Sequence, residues 1–149
     1  MDTLKFNLAT INDWSMLLEW RNDKETRKNS FSTDKVSVKE HKKWLSASIE
    51  NPKIEIFIVT DNEMPVGTVR VEVVDEKKEI SWTVAPKSRG KGYGKRMVQK
   101  LVNSLSGELL AKIKKSNYAS IKVAEYAGLK YLTKDKDVLF YIKKDENEN

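Results

Sequence analysis

The sequence predicts a single mixed α/β domain, largely antiparallel in its first half and βαβ-like in its second. Three observations predict it. Val66–Val74 and Glu79–Ala85 alternate apolar and polar residues with the period of a half-buried strand. After Pro86 the apolar period switches to that of a helix. No internal repeat and no Pro/Gly/Ser-rich linker interrupts the 149 residues, a length that suits one domain.

Each element has a local reason. Leu4–Ala9 has strand character, and Ile11, Trp14, Leu17, Leu18 and Arg21 then fall on neighbouring helical turns. Asn22–Asp34 is polar and aperiodic and reads as loop. Ser37-Val38-Lys39-Glu40 fits a capping box, in which hydroxyl and carboxylate would satisfy free helix N–H groups. Behind it His41, Trp44, Leu45, Ser48 and Ile49 share a helix face that Asn51-Pro52 ends. Ile54–Thr60 is a short apolar strand, and Asp61-Asn62-Glu63 turns it into Val66–Val74. Asp75–Lys78 leads on to Glu79–Ala85, where Ile80, Trp82 and Val84 oppose Glu79, Ser81 and Thr83. Tyr93, Met97, Val98, Leu101, Val102 and Leu105 form one helical stripe, closed by Gly107. Leu109–Ile113 is a strand, and Asn117–Ala127 is a helix ending at Gly128. Leu129–Leu132 and Val138–Ile142 make a closing hairpin around Lys134-Asp135-Lys136. The domain so read spans 1–142, and 143–149 is a polar tail expected to be disordered.

Composition excludes several chemistries. With no cysteine there is no disulfide, no Cys-ligated zinc and no thiol nucleophile. A single histidine, His41, excludes a multi-His metal site, and no metal is expected. Apolar runs such as Ile56–Val59 are too short to span a membrane. The start, Met1-Asp2-Thr3-Leu4-Lys5, lacks the apolar stretch of an export signal, so a cytoplasmic location is expected. Lys and Arg number 28 against 22 Asp and Glu, a surplus of +6 that suggests an anionic partner. Nucleic acid is a poor fit, because basic strands interleaved with aromatics, a helix-turn-helix and a zinc pattern are all missing.

The surplus is concentrated. Lys87, Arg89, Lys91, Lys95, Arg96 and Lys100 lie in one stretch without an acidic residue, and six charges equal the whole excess. That stretch holds Gly90, Gly92 and Gly94 between a strand and a helix. Glycines let the backbone approach a ligand closely, and their free N–H groups can form an anion nest. The helix N-terminus adds its dipole, and Arg89, Lys91 and Lys95 add charge-assisted donors. These are the parts of a pyrophosphate cradle. The spacing G-x-G-x-G fits neither the Walker loop nor the Rossmann fingerprint.

Arg89-Gly90-Lys91-Gly92-Tyr93-Gly94 resembles the R/Q-x-x-G-x-G/A motif of the GNAT superfamily of acetyl-CoA-dependent N-acetyltransferases. The order of elements also follows that superfamily, over nearly the whole chain. Leu18-Glu19-Trp20-Arg21-Asn22-Asp23 and Glu40-His41-Lys42-Lys43-Trp44 resemble segments of one branch. It includes amino-sugar acetyltransferases of pseudaminic-acid-type nucleotide-sugar pathways and the ribosomal-protein N-acetyltransferase-like group. The resemblance implies a central, mostly antiparallel sheet of seven strands flanked by four helices, counting the elements read above.

It also implies a site. Backbone amides from Arg89 through Lys95, with Gly90, Lys91, Gly92, Tyr93 and Gly94 between them, would hold the pyrophosphate of acetyl-CoA. Val84 would hydrogen-bond the pantetheine arm, and an amide near it would stabilise the oxyanion. Asn117 matches a residue that contacts the same arm, and equally fits a simple N-cap. The acceptor amine must lose a proton before it attacks. Glu79 is the leading base, although a solvated strand-end carboxylate would look the same; Glu72 is a weaker candidate. The superfamily's usual acid tyrosine position is Ala124 here, which leaves Ser120, one turn earlier, or Tyr118, another element or water. Trp20, Arg21, Asn22, Arg27 and His41 are the acceptor-binding candidates, with core packing the alternative for Trp20 and an ordinary helix position the alternative for His41. The expected partner is a small-molecule amine acceptor, with an amino sugar on a nucleotide as the instance the branch suggests. The alternatives are a protein N-terminus or lysine, or a CoA-binding module without catalysis. Monomer and homodimer both remain open.

Overall fold

The computed structural model describes residues 2–145. Its strands are β1 (Leu4–Leu8), β2 (Ile54–Asp61), β3 (Met64–Val74), β4 (Lys77–Val84), β5 (Leu109–Lys114), β6 (Lys130–Asp135) and β7 (Val138–Lys143). Its helices are α1 (Trp14–Asn22), α2 (Lys24–Asn29), α3 (Val38–Glu50), α4 (Tyr93–Ser104) and α5 (Tyr118–Tyr126). The seven strands form one sheet in the order β1-β2-β3-β4-β5-β7-β6. Every pairing is antiparallel except β4 with β5.

The hairpins are tighter than the sequence suggests. Asn62 and Glu63 take φ of 49° and 69°, and Asp75 and Glu76 take 49° and 66°. Two left-handed residues in succession match the strand twist, so each connection needs only two residues. β3 and β4 therefore begin at Met64 and Lys77. At the other end, β7 runs through Lys143, one residue into the expected tail, and residues 146–149 of that tail lie outside the described ones.

The expected loop 22–34 contains a helix. Asp23 caps α2 by accepting from the Thr26 N–H at 3.1 Å. None of its six residues is buried, so it has no apolar stripe from which a period could be read. Asn22 fixes the segment that follows: its Nδ2 donates to the Val36 carbonyl and its Oδ1 accepts from the Val36 N–H, both at 2.8 Å. Arg27 donates to the carbonyls of Asn22 and Thr33 at 3.2 and 3.3 Å.

Apolar residues pack on both faces of the sheet. Met97, Val98, Leu101 and Val102 of α4 join Val123 and Ala124 of α5 against Val69, Val71, Ile80 and Ala111. Leu17 and Trp20 of α1 and Leu45 of α3 cover Ile56 and Ile58. Gly67 of β3 permits the first of these contacts. A Cβ there would lie 2.6 Å from the Thr83 carbonyl oxygen and 2.8 Å from both Cε and Sδ of Met97.

The β4–β5 pairing is short and sets up the site. It extends only over Lys78–Leu109 and Glu79–Leu110, after which the strands part. The Lys78 N–H donates to the Glu108 carbonyl, so alternate residues Ile80, Trp82 and Val84 present backbone groups to this side. Beyond the last paired rung, Trp82 and Val84 have no β5 partner.

Candidate active site

Two clefts meet where β4 leaves β5. The first, about 610 Å³, has Thr68, Arg70, Glu79, Ser81 and Thr83 on its sheet floor and Leu17, Trp20, Arg21, His41 and Trp44 on its helical wall. The floor residues share a face because Thr68 pairs with Thr83, Arg70 with Ser81 and Glu72 with Glu79. The second cleft, about 600 Å³, runs past Trp82, Thr83 and Val84 to Ser88, Arg89, Gly90, Gly92, Tyr93, Gly94 and Lys95. Asn29, Ser30, Trp82, Thr83, Asn117 and Ser120 line both.

The glycine loop has the geometry of an anion cradle. Gly90 and Gly92 take φ of +76° and +81°, which a side chain would strain. Gly92 caps α4, whose first intrahelical bond is Arg96 N–H to Gly92 C=O at 3.3 Å. The amides of Tyr93, Gly94 and Lys95 precede that bond and have no helical acceptor. Gly94 is buried, its Cα facing Val123 and Val84 so closely that a Cβ would stand 3.1 and 3.4 Å from their methyls.

The loop's cations divide into two sets. Arg89 is held by Asp23 at 2.5 Å, Thr26 at 3.0 Å and Glu25 at 3.2 Å, a clamp between the loop and the start of α2. The hydrogen bond from Arg89 holds the Asp23 carboxyl below its ordinary range. Arg96 and Lys100 turn toward the N-terminal strand, where Lys100 reaches Asp2 at 2.8 Å and the Leu4 carbonyl at 2.6 Å, and Arg96 reaches Asp2 at 4.0 Å. Lys87, Lys91 and Lys95 have no carboxylate partner among the described residues. Of the six charges gathered along the sequence, Arg89 and Lys95 line the second cleft.

The other sequence-derived candidates are distributed as follows. Trp20, Arg21, His41 and Glu79 line the first cleft. Glu79 is ion-paired to Lys112 at 3.6 Å. Trp20 and His41 are both buried. Burial first of all lowers the His41 pKa, against a hydrogen bond to the Trp14 backbone. Asn22 and Arg27 line neither cleft; they staple the chain around α2. Lys91 is exposed beside the second cleft without lining it. Tyr93 lends the cleft its backbone while its hydroxyl donates to Asp61 at 2.5 Å, a bond that raises the Tyr93 pKa. Asn117 caps α5, its Oδ1 accepting from Ser120 N–H at 3.2 Å, and both residues sit at the junction. Ala124 is fully buried in the core and opens onto neither cleft.

Several cleft residues carry no sequence signal. Arg70 and Lys112 lie on strands whose periodicity speaks only of burial. Lys122 lines the second cleft from α5, and Asn29 and Ser30 reach the junction from the helix hidden in the expected loop. Only the topology brings them together.

Comparison with known proteins agrees with this architecture. The Acetyltransferase (GNAT) domain family matches residues 3–130. An uncharacterized N-acetyltransferase of Bacillus subtilis, YfmK, is 29% identical over 89 residues, covering 57% of this chain and 60% of the relative. The ribosomal L7/L12 alpha-N-protein acetyltransferase RimL, solved with coenzyme A, superposes with a TM-score of 0.85 at 14% identity over 99% of this chain and 97% of that one. Spermidine N-acetyltransferase from Vibrio cholerae, solved with CoA and spermine, gives a TM-score of 0.83 at 15% identity over 96% of each chain. At such identities the structural likeness speaks for the fold, and the family match speaks for descent. The chain belongs to the GNAT acetyltransferase family.

Proposed function

We propose that the protein transfers the acetyl group of acetyl-CoA to a primary amine, by direct attack in a ternary complex. The observation that carries this reading is the meeting of two clefts at Trp82 and Thr83, beside a strand edge with no β5 partner. Acetyl-CoA lies in the second cleft, its pyrophosphate on the amides of Gly92, Tyr93, Gly94 and Lys95. Its pantetheine arm follows the free edge at Trp82 and Val84, adding the hydrogen bonds that β5 would otherwise make. The thioester reaches the junction, and an edge amide near Val84 stabilises the tetrahedral oxyanion.

The acceptor enters through the first cleft. Glu79 takes the ammonium proton; it lies three residues before Trp82, about 10 Å along the strand, so the proton travels through water. The free amine attacks the carbonyl carbon, the C–N bond forms, and the C–S bond breaks on collapse of the intermediate. Ser120, which lines both clefts, is the candidate acid for the departing thiolate, and it is reprotonated by the second proton that the attacking nitrogen loses; water is its substitute. The chain has no cysteine, so no acetyl-cysteine intermediate forms. An amino sugar on a nucleotide is the first acceptor to test. A second reading, a CoA-binding module without catalysis, is favoured by one feature: a core alanine stands where the superfamily's acid tyrosine is usual.

The test combines binding with turnover. Acetyl-CoA should raise the melting temperature through linkage to the native state. A screen of amino sugars, nucleotide-linked amino sugars, polyamines, amino acids and peptides should yield an acetylated product. Glu79→Gln should lower turnover while leaving CoA affinity nearly unchanged. Stabilisation by acetyl-CoA with no product from any amine class would favour the binding module.

A further inference from the structure

Three buried side-chain polar atoms lack a hydrogen-bond partner among the described residues: Arg21 Nη1, His41 Nε2 and Arg70 Nε. All three residues line the first cleft. A buried donor without an acceptor destabilises a fold, and such atoms gather where a ligand completes them.

The three differ in what they lack. Arg70 is ion-paired to Glu72 at 3.1 Å, and the cleft's Lys112 is paired to Glu79 at 3.6 Å. Arg21 has no carboxylate within ion-pair distance among the described residues. Its Nη2 donates to the Ser32 carbonyl at 2.9 Å, which fixes the guanidinium and leaves Nη1 over. Burial, then the like charge of Arg27, lowers its pKa. Glu40 is the remaining charged group on the cleft lining, exposed in the first turn of α3. His41 is only 3% exposed. With one ring nitrogen bonded to the Trp14 backbone and the ring kept neutral by burial, Nε2 is left as an acceptor.

We propose that the first cleft is built for an amine that also carries an anionic group, a carboxylate or a phosphate, which Arg21 anchors while His41 Nε2 accepts from a hydroxyl or amine of the same molecule. The proposal rests on the acetyl-transfer reading and narrows it to zwitterionic or anionic amines. A polycation would bring further positive charge to a guanidinium that already lacks a counter-ion. Arg21 is thereby a specificity-determining residue, and its fork geometry suits either anion.

Matched pairs test it: glucosamine phosphate against glucosamine, and lysine against cadaverine. Initial rates of acetyl transfer are measured together with calorimetric binding to the CoA-loaded protein. The anion-bearing member of one pair should be preferred about 10- to 100-fold, the span of one charge-assisted hydrogen bond. Which pair responds identifies phosphate or carboxylate. Arg21→Gln should bring that ratio toward one, and Arg21→Lys should restore part of it; a retained melting shift with CoA shows that both variants are folded. Equal or tighter binding of glucosamine and cadaverine, or a preference that survives Arg21→Gln, would overturn the proposal. If wild type shows no shift with CoA, the acetyl-transfer reading fails, and calorimetry of the same pairs on the unloaded protein still decides the anion site.

Discussion

Replacing Gly67 by alanine should damage both stability and coenzyme binding, through a single methyl group. That methyl would stand 2.6 Å from the Thr83 carbonyl oxygen and 2.8 Å from the end of the Met97 side chain. The Met97 thioether can rotate away, since an unbranched side chain has rotamers to spare. The carbonyl cannot, because it belongs to the backbone of β4. Restoring an ordinary carbon–oxygen approach of about 3.3 Å moves the strands apart by roughly 0.7 Å. Overpacking of this kind costs about 1–3 kcal/mol, and a backbone partner puts it in the upper half, about 2–3 kcal/mol. Unfolding entropy of about 2.1 cal/mol/K per residue gives about 0.31 kcal/mol/K for 149 residues. The melting temperature should therefore fall by about 6–10 °C. Gly67 also pairs with Val84, so the displacement reaches the free edge on which the pantetheine arm is proposed to lie. Calorimetric melting and titration with acetyl-CoA measure both effects. A variant that melts within about 1 °C of wild type and binds acetyl-CoA equally well would refute the reasoning.

Asp23→Asn should remove about 1 kcal/mol at neutral pH by weakening the clamp on Arg89. The folded-state pKa of Asp23 is lowered, so this stabilisation is complete above the unfolded value of about 3.9 and is lost as pH falls through the folded one. The gap between wild-type and variant melting temperatures should accordingly be constant from neutral pH down to about 5 and close under stronger acid; a gap independent of pH would mean that the carboxylate charge is not what holds the clamp. Lys91→Glu combined with Lys95→Glu should weaken CoA binding about 10- to 100-fold, and more at low than at high salt, with little change in melting temperature. Salt-insensitive affinity in that variant would move the phosphates elsewhere. Gly92→Ala should cost about 1–2 kcal/mol, because its φ of +81° places a Cβ against the following carbonyl; an unchanged melting temperature would show that the loop relaxes freely.

The fold was legible wherever burial imposes a period. Val69, Val71 and Ile80 alternate because they lie on the sheet face that α4 and α5 cover, and Met97, Val98, Leu101 and Val102 form a stripe because one helix face is covered in turn. The glycine loop was legible for another reason: positive φ and a bare helix N-terminus restrict residue choice locally. α2 left no such trace, since a six-residue helix with no buried side chain is held by the Asp23 cap and by the distant side chains of Arg89 and Lys114, which donate to the Thr26 hydroxyl and the Lys28 carbonyl. The same limit applies to charge. Arg89, Arg96 and Lys100 are neighbours in sequence, yet their carboxylate partners Asp23, Glu25 and Asp2 come from other elements. Arg21 and Arg27 look interchangeable as text; one lines the cleft, while the other holds the Asn22 and Thr33 carbonyls.

The two-rung junction between β4 and β5 has a consequence for how the molecule comes apart. Strands β1 to β4 form a meander in which each strand pairs with its sequence neighbour. Strands β5, β6 and β7 form a second group, and the backbone ladder joining the groups is two residue pairs long. The side chains of α4 and α5 share one core with both groups, so loosening that layer helps to free one group without unzipping the other. Amide protons should therefore exchange as two cooperative blocks with a boundary between β4 and β5, the later block opening at lower free energy. A ligand spanning the gap would draw the two blocks toward one common opening event.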